Sequence, residues 1–528
     1  MNQLKKNPSL FILILACILF SVPFFFCQGL PFGNDLSFHL SRLESLKTAL
    51  LNGSILPGVY SDYFSGMGYG NGLFYPDLFL YIPVFMMCLG ISTVNAMKLY
   101  LILLSSAAAF SMYGSLRSIK ASQSAAMFSA FMILFASYHI TDIYLRCSLG
   151  EIQAFVFLPM IFAGLIDLLW GQGKNPLLLM FGFSGLILSH ILTSVITFLI
   201  SSVLTLCCFK HLLTEPFRFK TLGLAALGSL GLTAFFTFPM LEQMILNPIW
   251  GDVGLNGTVS SWAVPLNQLF LAKPQLLGAE GVLPAGIGLP LVFCGILGLM
   301  SSEKPLKVFA LIGWILLWMA SDLFPWSVLE SRLQIFQFPW RLYLLTTLCW
   351  AFVAGPALEQ RIRSVKIKRF FVGLLSLLML LSFGIQVSFI YQHYPCIEEN
   401  PYPTFPAGCE YLPEALSYAQ LLESEKNLKS EERLGWQCYL FELTEKDPEI
   451  PVIYYPGYRA WLIKDGTRFP VTLSASEHGL IRIDTDQGGE VLITYQKTAL
   501  AQATLWISLF SVLLIFIMIF RRKKPLDL

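Results

Sequence analysis

Long apolar runs separated by short polar segments set the pattern of this chain. A helix that crosses a bilayer needs roughly 20 mostly apolar residues, and runs of about this length recur along the whole sequence. The pattern predicts an all-α polytopic membrane protein. We expect about twelve transmembrane helices, at 9–26, 95–116, 121–141, 153–170, 176–190, 191–209, 221–241, 286–300, 307–320, 342–357, 370–390 and 500–520.

Three of the apolar runs require interpretation. The run at 9–26 resembles a secretory signal, but no clean small-residue cleavage site follows it, so we interpret it as an anchor. The stretch 176–209 is too long for one straight helix, and we divide it at His190, with a single tilted helix as the alternative. The run at 78–91 is short and interrupted by proline, which favours a re-entrant or interfacial segment.

The distribution of basic residues gives the chain an orientation. If the N-terminus is cytoplasmic, 19 Lys and Arg residues fall on the inner side, and 7 fall on the outer side outside 391–499. This asymmetry is what the positive-inside rule describes. The sequence therefore predicts a multi-pass protein of the cell membrane with both termini in the cytoplasm.

Composition excludes several classes of protein. Hydrophobic residues make up 55% of the 528 residues and charged residues 13%, far from the roughly 25% charged residues of soluble domains. The 35 basic and 33 acidic residues nearly cancel, which argues against a nucleic-acid-binding protein. The sequence contains no phosphate-binding loop, no hydrolase nucleophile elbow and no zinc-protease motif.

Two outer segments are long enough to carry a function. The first, 27–94, belongs to a predicted bundle of residues 1–390, and the second, 391–499, precedes a last helix and basic tail at 500–528. Within the second segment, 413–435 is predicted to be helical and acidic, and 451–498 alternates like short strands, which predicts a small extracytoplasmic β-rich domain. The sequence allows either one disulfide or free thiols among Cys396, Cys409 and Cys438.

The first outer segment contains an amphipathic helix. Leucines recur at helical spacing from Leu36 to Leu50, which predicts a helix lying flat at the outer membrane surface. Its other side carries Ser41, Arg42, Ser45, Lys47 and Thr48. Asp35, His39 and Arg42 are spaced i, i+4 and i+7, so one face presents a carboxylate, an imidazole and a guanidinium. Such a set suits a general base with a phosphate-binding partner, although Asp35 is equally suited to cap the helix.

Further polar residues are predicted on the same outer side. They lie near the ends of predicted spans and are His139, Asp142, Arg146, Glu151, His190, Arg332, Gln337 and Arg341. Ionisable groups at membrane depth are costly and tend to mark a function, although any one of them has the simpler explanation of pairing or snorkelling. The spacing of His39, His139 and His190 is not diagnostic of a metal, so no metal site is predicted.

Several segments together resemble a known family. The run from Gly33 to Pro83, YLRCSLGEIQAFVFLP, LSHILT, LQIFQFPWRLYLL and PVIYYPGYRAWLIKDG are similar, in order, to blocks of the YfhO-like bacterial membrane proteins. These are related to proteins labelled "6-pyruvoyl-tetrahydropterin synthase-related", although neither the composition nor the ligand pattern of a soluble zinc enzyme is present. The resemblance implies a C-type glycosyltransferase (GT-C) architecture. In that class an acidic residue of the first outer loop is catalytic, and sugar is taken from a polyprenyl-phosphate carrier.

Carried over residue by residue, the resemblance makes Asp35 the general base. Leu36 follows it, so the paired acidic motif of many such enzymes is absent. No cofactor is predicted to be obligatory, and a divalent metal stays open although the ligand spacing does not support it. His39, Arg42, Glu151 and His190 would support Asp35. The leaving phosphate would meet arginines, namely Arg146, Arg332 and Arg341. Sugar or acceptor would contact Tyr60, Tyr63, Tyr69, Tyr75 and Gln337, although for any one aromatic residue interfacial packing is the favoured explanation.

The expected partners are a polyprenyl-phosphate-linked sugar, an extracytoplasmic glycan or lipid acceptor and the bilayer. Two other functions stay open at this point. A transporter or flippase of lipid-linked saccharides suits the number of spans, although no inverted repeat is visible. A non-catalytic envelope-assembly partner is suggested by the outer β-rich domain. Replacing Asp35 by Asn separates these readings, because Asn caps a helix as well as Asp but cannot act as a base.

Overall fold

The structure is a computed structural model. It describes residues 8–249, 258–271, 274–276, 282–283, 285–333, 337–404, 406, 410–428, 432–443, 448–485 and 487–522. Five of the basic residues used for the orientation argument lie outside this set, as does Cys409. They are Lys5, Lys6, Lys273, Lys523 and Lys524.

Helices account for most of the described chain. They are α1 Pro8–Ser21, α2 Leu36–Leu51, α3 Asn71–Phe74, α4 Tyr81–Cys88, α5 Thr93–Ser118, α6 Gln123–Leu134, α7 Ser137–Thr141, α8 Leu149–Trp170, α9 Leu177–Ile187, α10 Ile191–Cys207, α11 Phe209–Thr214, α12 Phe217–Leu246, α13 Leu289–Leu299, α14 Lys304–Ala320, α15 Trp326–Leu333, α16 Tyr343–Arg361, α17 Val365–His393, α18 Tyr418–Asn427 and α19 Ala499–Arg522.

The strands are concentrated near the C-terminal end. They are β1 Leu30–Pro31, β2 Gln275–Leu276, β3 Val282–Leu283, β4 Cys396–Ile397, β5 Arg433–Gly435, β6 Cys438–Leu443, β7 Glu449–Ile453, β8 Tyr458–Lys464, β9 Thr467–Ala475, β10 Leu480–Asp484 and β11 Gly489–Tyr495.

Six helices of the described chain are long and apolar enough to cross a membrane. They are α5, α8, α12, α17, α19 and the helical stretch Pro339–Arg361 that contains α16. A seventh is possible if α6 and the segment Ser137–Arg146, bent by 43° from it, form one span. The protein is therefore a mostly helical, multi-pass membrane protein.

The predicted number of about twelve spans is not confirmed. Shorter apolar helices occupy Ser9–Phe25, Leu78–Cys88, Leu177–Ile187, Ile191–Cys207 and Leu289–Leu299. A helix rises about 1.5 Å per residue and a bilayer core is about 30 Å thick, so by length alone these helices fall short of a full crossing.

The chain divides into two units. The first comprises residues 1–36, 94–229 and 255–399. Its central helix is α16, nearly all of whose side chains are buried and which packs on α6, α13 and α14. Trp350 of α16 fits against glycines of α13 and α14 and donates its indole N–H to the Ala310 carbonyl at 3.1 Å. Small residues at these positions let the helix backbones approach closely.

A disulfide and a short sheet close the first unit near α1 and α17. Cys27 pairs with Cys396, and β1 pairs antiparallel with β4. The sequence left Cys396 open to a partner within its own segment. The partner comes instead from the residues that follow α1, and Cys438 is a free thiol.

The second unit comprises residues 37–93, 230–254 and 400–528. Its seven-stranded antiparallel sheet has the order β5-β6-β11-β8-β9-β10-β7. Buried and exposed positions alternate along β6 and β10, as in a sheet with one face on a core. The strands begin at Arg433, and α18 covers only part of the predicted helix 413–435, because residues 433–435 pair with β6.

The predicted helix of the first outer segment is present, but its environment differs from the expectation. Helix α2 buries its leucine face, and Ser41, Arg42 and Ser45 of the other face are buried as well. Burial of both faces does not fit the predicted helix lying flat at the outer membrane surface. The amphipathic pattern reflects internal polar partners: Arg42 meets Asp77, and Ser45 meets Asp62.

Candidate active site

The backbone around Asp35 is held against the segment that follows α7. Gly33 approaches this segment so closely that a Cβ atom would lie 1.5 Å from the Leu145 carbonyl oxygen. The N–H of Asp35 donates to the Arg146 carbonyl at 2.8 Å. Because only glycine permits this approach, Gly33 fixes the position of Asp35 beside Arg146.

The Asp35 side chain is half-buried and lies in a charged environment. The Ser148 hydroxyl hydrogen-bonds to it, and Arg146, Arg341 and Glu151 interact with it electrostatically. Burial raises the pKa of Asp35 above its ordinary value, because the two guanidinium groups offset only part of the desolvation and Glu151 adds to it. Asp35 therefore accepts a proton more readily than an ordinary aspartate.

Arg146 is the centre of the charged cluster and is fully engaged. Nη1 donates to the Tyr138 hydroxyl at 3.0 Å and to Asp142 Oδ1 at 2.6 Å. Nη2 donates to Ser148 Oγ and to Glu151 Oε1, both at 3.2 Å. Buried arginine with this many partners acts as an internal counter-ion, and removing one partner of such a pair is costly.

Arg341 is the more accessible of the two arginines. Its side chain is 17% exposed, and its Nε lies 3.4 Å from Glu151 Oε1. One terminal nitrogen donates to Gln337, a residue in the left-handed backbone region, and the guanidinium lies 4.9 Å from the centre of the Phe338 ring. Within the described chain the other terminal nitrogen is not engaged in a hydrogen bond, so Arg341 can still meet an anion.

Glu151 and His190 complete this side of the first unit. Glu151 is buried and accepts a 2.6 Å hydrogen bond from Tyr138 in addition to its contacts with Arg146 and Arg341. His190 is half-buried, its Nδ1 lies 2.7 Å from Thr193 Oγ1, and it interacts electrostatically with Glu151. The first unit therefore brings together most of the charged residues that the sequence assigned to the outer side.

The predicted partners His39 and Arg42 belong to the second unit. Arg42 is buried, donates to Asp77 Oδ1 at 2.5 Å and to the Pro76 carbonyl at 3.0 Å, and lies 3.2 Å from His39 Nδ1. Tyr60 donates to Asp77 Oδ2 at 2.6 Å. Both terminal nitrogens of Arg42 are therefore engaged and are not free to bind a phosphate.

The tyrosines expected to contact sugar have different exposures. Tyr60, Tyr63 and Tyr69 have no exposed surface, which agrees with the packing alternative and not with a stacked sugar. Tyr75 is half-buried, and the Arg42 guanidinium lies 4.0 Å from its ring centre. Arg332 belongs to α15, but its side chain lies outside the described part of the structure.

Residues that the sequence reasoning missed are mainly neutral. Tyr138 and Ser148 bridge the charged groups, and Trp340 lies with its ring centre 4.4 Å from the Arg146 guanidinium. Tyr138 and Ser148 lie within a few residues of Asp142 and Arg146, and this proximity along the chain is the signal that could have identified them. Their roles as hydrogen-bond donors carry no sequence signature of their own.

In the described chain, no group of three or more His, Cys, Asp or Glu side chains is arranged to hold a metal ion. The three histidines considered for a metal have separate environments. His39 contacts Arg42, His139 is stacked on Phe20, and His190 contacts Thr193.

Comparisons with known proteins give weak likenesses. No protein-family profile matches the chain. An uncharacterised protein of Lactococcus lactis subsp. cremoris (strain MG1363) is 27% identical over 263 residues, which is 46% of this chain and 41% of that protein. The match thus spans about two fifths of the relative's length, too little to assign a family.

Among solved structures, the arabinofuranosyltransferase AftD from Mycobacteria is similar with a TM-score of 0.41 and 14% identity, over 72% of this chain and 26% of that chain. A mutant of the same enzyme gives a TM-score of 0.42 and 14% identity, over 71% and 28%. A likeness of this size carries no argument about activity, and the function must be argued from the site.

Proposed function

We propose that this protein is a membrane glycosyltransferase of the GT-C class, related to the YfhO-like proteins. It moves a sugar from a polyprenyl-phosphate carrier to a glycan or lipid acceptor outside the cytoplasm. The observation that carries the proposal is the half-buried Asp35, whose pKa is raised and which interacts with the partly exposed Arg341 in a protein rich in apolar helices.

Asp35 acts as the general base. The acceptor hydroxyl oxygen forms a bond to the anomeric carbon, the bond from that carbon to the phosphate oxygen breaks, and the hydroxyl proton moves to Asp35. The cluster holds two guanidinium groups and three carboxylates, those of Asp35, Asp142 and Glu151. Because the carboxylates outnumber the guanidinium groups by one, the cluster favours one protonated carboxyl. We assign the transferred proton to Asp35 because it is the least buried carboxyl of the three.

The arginines have separate roles. Arg341 contacts the departing phosphate, because one of its terminal nitrogens is not engaged and its side chain is partly exposed. Arg146 positions Asp35 through its backbone carbonyl and neutralises Glu151 and Asp142. Gln337 holds Arg341 in place. Because the leaving group is already a phosphate ester, the reaction requires neither nucleotide nor obligatory cofactor.

The proposed active site lies at the extracytoplasmic face. The Cys27–Cys396 disulfide belongs to the same unit as Asp35, and structural disulfides persist in oxidising compartments. With about twelve spans and both termini in the cytoplasm, residues 1–390 form the bundle. Residues 391–499 form the outer domain, and residues 500–528 form the last helix and tail.

The test replaces Asp35 by Asn in cells that lack the native protein. Envelope glycans are compared by mass spectrometry after complementation with wild type, Asp35→Asn or Asp322→Asn, the last being a matched change at an exposed aspartate. We expect wild type and Asp322→Asn to restore the missing glycan and Asp35→Asn to fail at equal protein level and equal thermal stability. Full restoration by Asp35→Asn, or unchanged glycans in cells without the protein, contradicts the proposal.

A further inference from the structure

A cleft in the second unit has apolar walls and a polar end. It encloses a cavity of about 80 Å³. The residues used below are Asp77 of the first outer segment, Phe235, Pro239 and Gln243 of α12, and Lys497, Ala501 and Leu505 around the start of α19. This site contains none of the residues assigned to sugar transfer above.

The cleft lies beside the C-terminal end of the apolar helix α12 and the N-terminal end of the apolar helix α19. Its wall is formed by the last turns of α12 and the first turns of α19, and the Ser508 hydroxyl donates to the Gly231 carbonyl at 2.8 Å between them. Both helices expose large apolar side chains nearby, among them Ile245 at 78% and Trp506 at 71%. Both helices are candidate membrane spans, so we infer that these side chains face lipid and that the cleft borders the bilayer where the helices leave it.

The polar end offers a cation that lacks an anionic partner. Lys497 is half-buried, and its Nζ lies 3.4 Å from the Ile55 carbonyl oxygen. No carboxylate of the described residues forms an ion pair with it, and burial lowers its pKa. Asp77 at the same cleft is already neutralised by Arg42. A bound anion is therefore the group that Lys497 lacks.

A hydrogen-bond acceptor is also unused among the residues that line the cleft. Gln243 is 1% exposed, its Nε2 donates to the Pro456 carbonyl at 2.8 Å, and its Oε1 has no hydrogen-bond partner. Burial of an unpartnered carbonyl oxygen is costly, so this atom favours a ligand that donates a hydrogen bond. Pro239, one turn away, has no N–H to offer the Phe235 carbonyl.

From this geometry we propose that the cleft binds the polar end of an anionic phospholipid whose headgroup carries a free hydroxyl, as phosphatidylglycerol does. The phosphate meets Lys497, and a headgroup hydroxyl donates to Gln243 Oε1. A cavity of about 150 Å³ holds a benzene molecule, so the enclosed space of about 80 Å³ takes only the hydroxyl-bearing tip of the headgroup, and the phosphate lies at its edge beside Lys497. The acyl chains then lie along the lipid-facing sides of α12 and α19.

The test measures lipid binding to the full-length protein in detergent by native mass spectrometry during titration with phosphatidylglycerol or phosphatidylcholine. Lys497→Gln removes the cation, and Ala501→Phe fills the cavity. Matched controls are Lys464→Gln, at an exposed lysine, and Ala503→Phe, at an exposed alanine of the same helix. All five proteins are checked for equal thermal stability.

We expect wild type and both controls to prefer phosphatidylglycerol. Lys497→Gln should bind it about tenfold more weakly, because a charge-assisted hydrogen bond is lost, and Ala501→Phe should lose the preference. Equal binding of phosphatidylcholine by wild type overturns the proposal, as does unchanged binding by both pocket variants. Displacement of phosphatidylglycerol by millimolar inorganic phosphate also overturns it, since the site would then take a free anion and not a lipid.

Discussion

Asp35 combines partial burial with two nearby arginines, and its proton affinity decides what it can do. Burial raises its pKa more than Arg146 and Arg341 lower it. At low pH the residue is neutral and cannot take a proton from an acceptor. As pH rises through the raised pKa, the carboxylate forms and becomes a base of useful strength.

The raised pKa makes a prediction about stability. A carboxyl whose pKa is higher in the folded than in the unfolded state favours folding at low pH, and this contribution is lost as pH rises through the folded-state pKa. Asp35→Asn is neutral at every pH and lacks this dependence. The melting temperature of Asp35→Asn minus that of wild type, measured in detergent from pH 4 to pH 8, should therefore increase with pH.

The control for this measurement is Asp322→Asn, at an exposed aspartate. Its difference from wild type should stay nearly constant over the same range. A pH-independent difference for Asp35→Asn would falsify the assignment of a raised pKa to Asp35.

Substitution of Arg341 should affect activity, whereas substitution of Arg146 should affect stability. Arg341 is partly exposed with an unengaged terminal nitrogen, so Arg341→Gln should slow glycan restoration about 100-fold while changing stability little. Arg146 is buried between two carboxylates, so Arg146→Gln should lower the free energy of unfolding by about 3 kcal/mol. The initial rate of glycan appearance after induction and denaturant unfolding in detergent measure the two effects.

Arg363→Gln, at an exposed arginine, is the matched control and should change neither quantity. A wild-type rate in Arg341→Gln excludes Arg341 as the phosphate ligand. Undiminished stability in Arg146→Gln shows that its buried contacts contribute less than their geometry implies.

Sequence reasoning identified the charged residues of the first unit because ionisable groups near apolar segments cost free energy and therefore tend to mark a function. It could not assign their partners. Arg146 was expected to bind phosphate, yet its donors are used by Asp142, Glu151 and neutral neighbours. Which arginine keeps a free donor depends on side-chain geometry, and spacing along the chain does not encode it.

At the scale of elements, α2 shows what helical spacing can and cannot predict. The spacing of the leucines predicts a helix, and the structure has one at residues 36–51. The period does not reveal what the other face meets, because Asp62 and Asp77 lie outside the helix. The sequence alone does not show whether a polar residue is buried or faces solvent.

The pair formed by Arg42 and Asp77 should stabilise the second unit through α2. Arg42→Met and Asp77→Asn each leave one buried charge without its counter-ion, so each should lower the free energy of unfolding by about 3 kcal/mol. The double variant should lose about 1–3 kcal/mol less than the sum of the two single changes, because the interaction is removed only once. Denaturant unfolding in detergent gives all four values.

Lys47→Met on the same helix is the control, because Lys47 is half-exposed. It should change stability by no more than about 0.5 kcal/mol. Strict additivity of the Arg42 and Asp77 changes would mean that the two residues do not interact energetically.

At the scale of the whole molecule, hydropathy predicts a membrane protein and strand alternation predicts the C-terminal sheet, because both patterns extend over many residues. The number of spans is harder to predict. Short apolar helices such as α9 and α13 satisfy a hydropathy window without the length of a full crossing. Grouping into units is harder still, since residues 37–93 and 400–528 are distant in sequence yet belong to one unit.

Orientation in the membrane is the last prediction, and the proposed chemistry depends on it. The segment 391–499 carries 17 acidic and 9 basic residues, whereas basic residues gather on the predicted inner side. We therefore expect a membrane-impermeant maleimide applied to intact cells to label Glu477→Cys in the sheet domain but not Ser302→Cys between α13 and α14, over the background of the native thiols. Both positions are exposed, so accessibility within the protein does not explain a difference. After the cells are broken open, both should react. Labelling of Ser302→Cys alone in intact cells would reverse the topology and place 391–499 in the cytoplasm, where a carrier-linked sugar on the outer leaflet is out of reach.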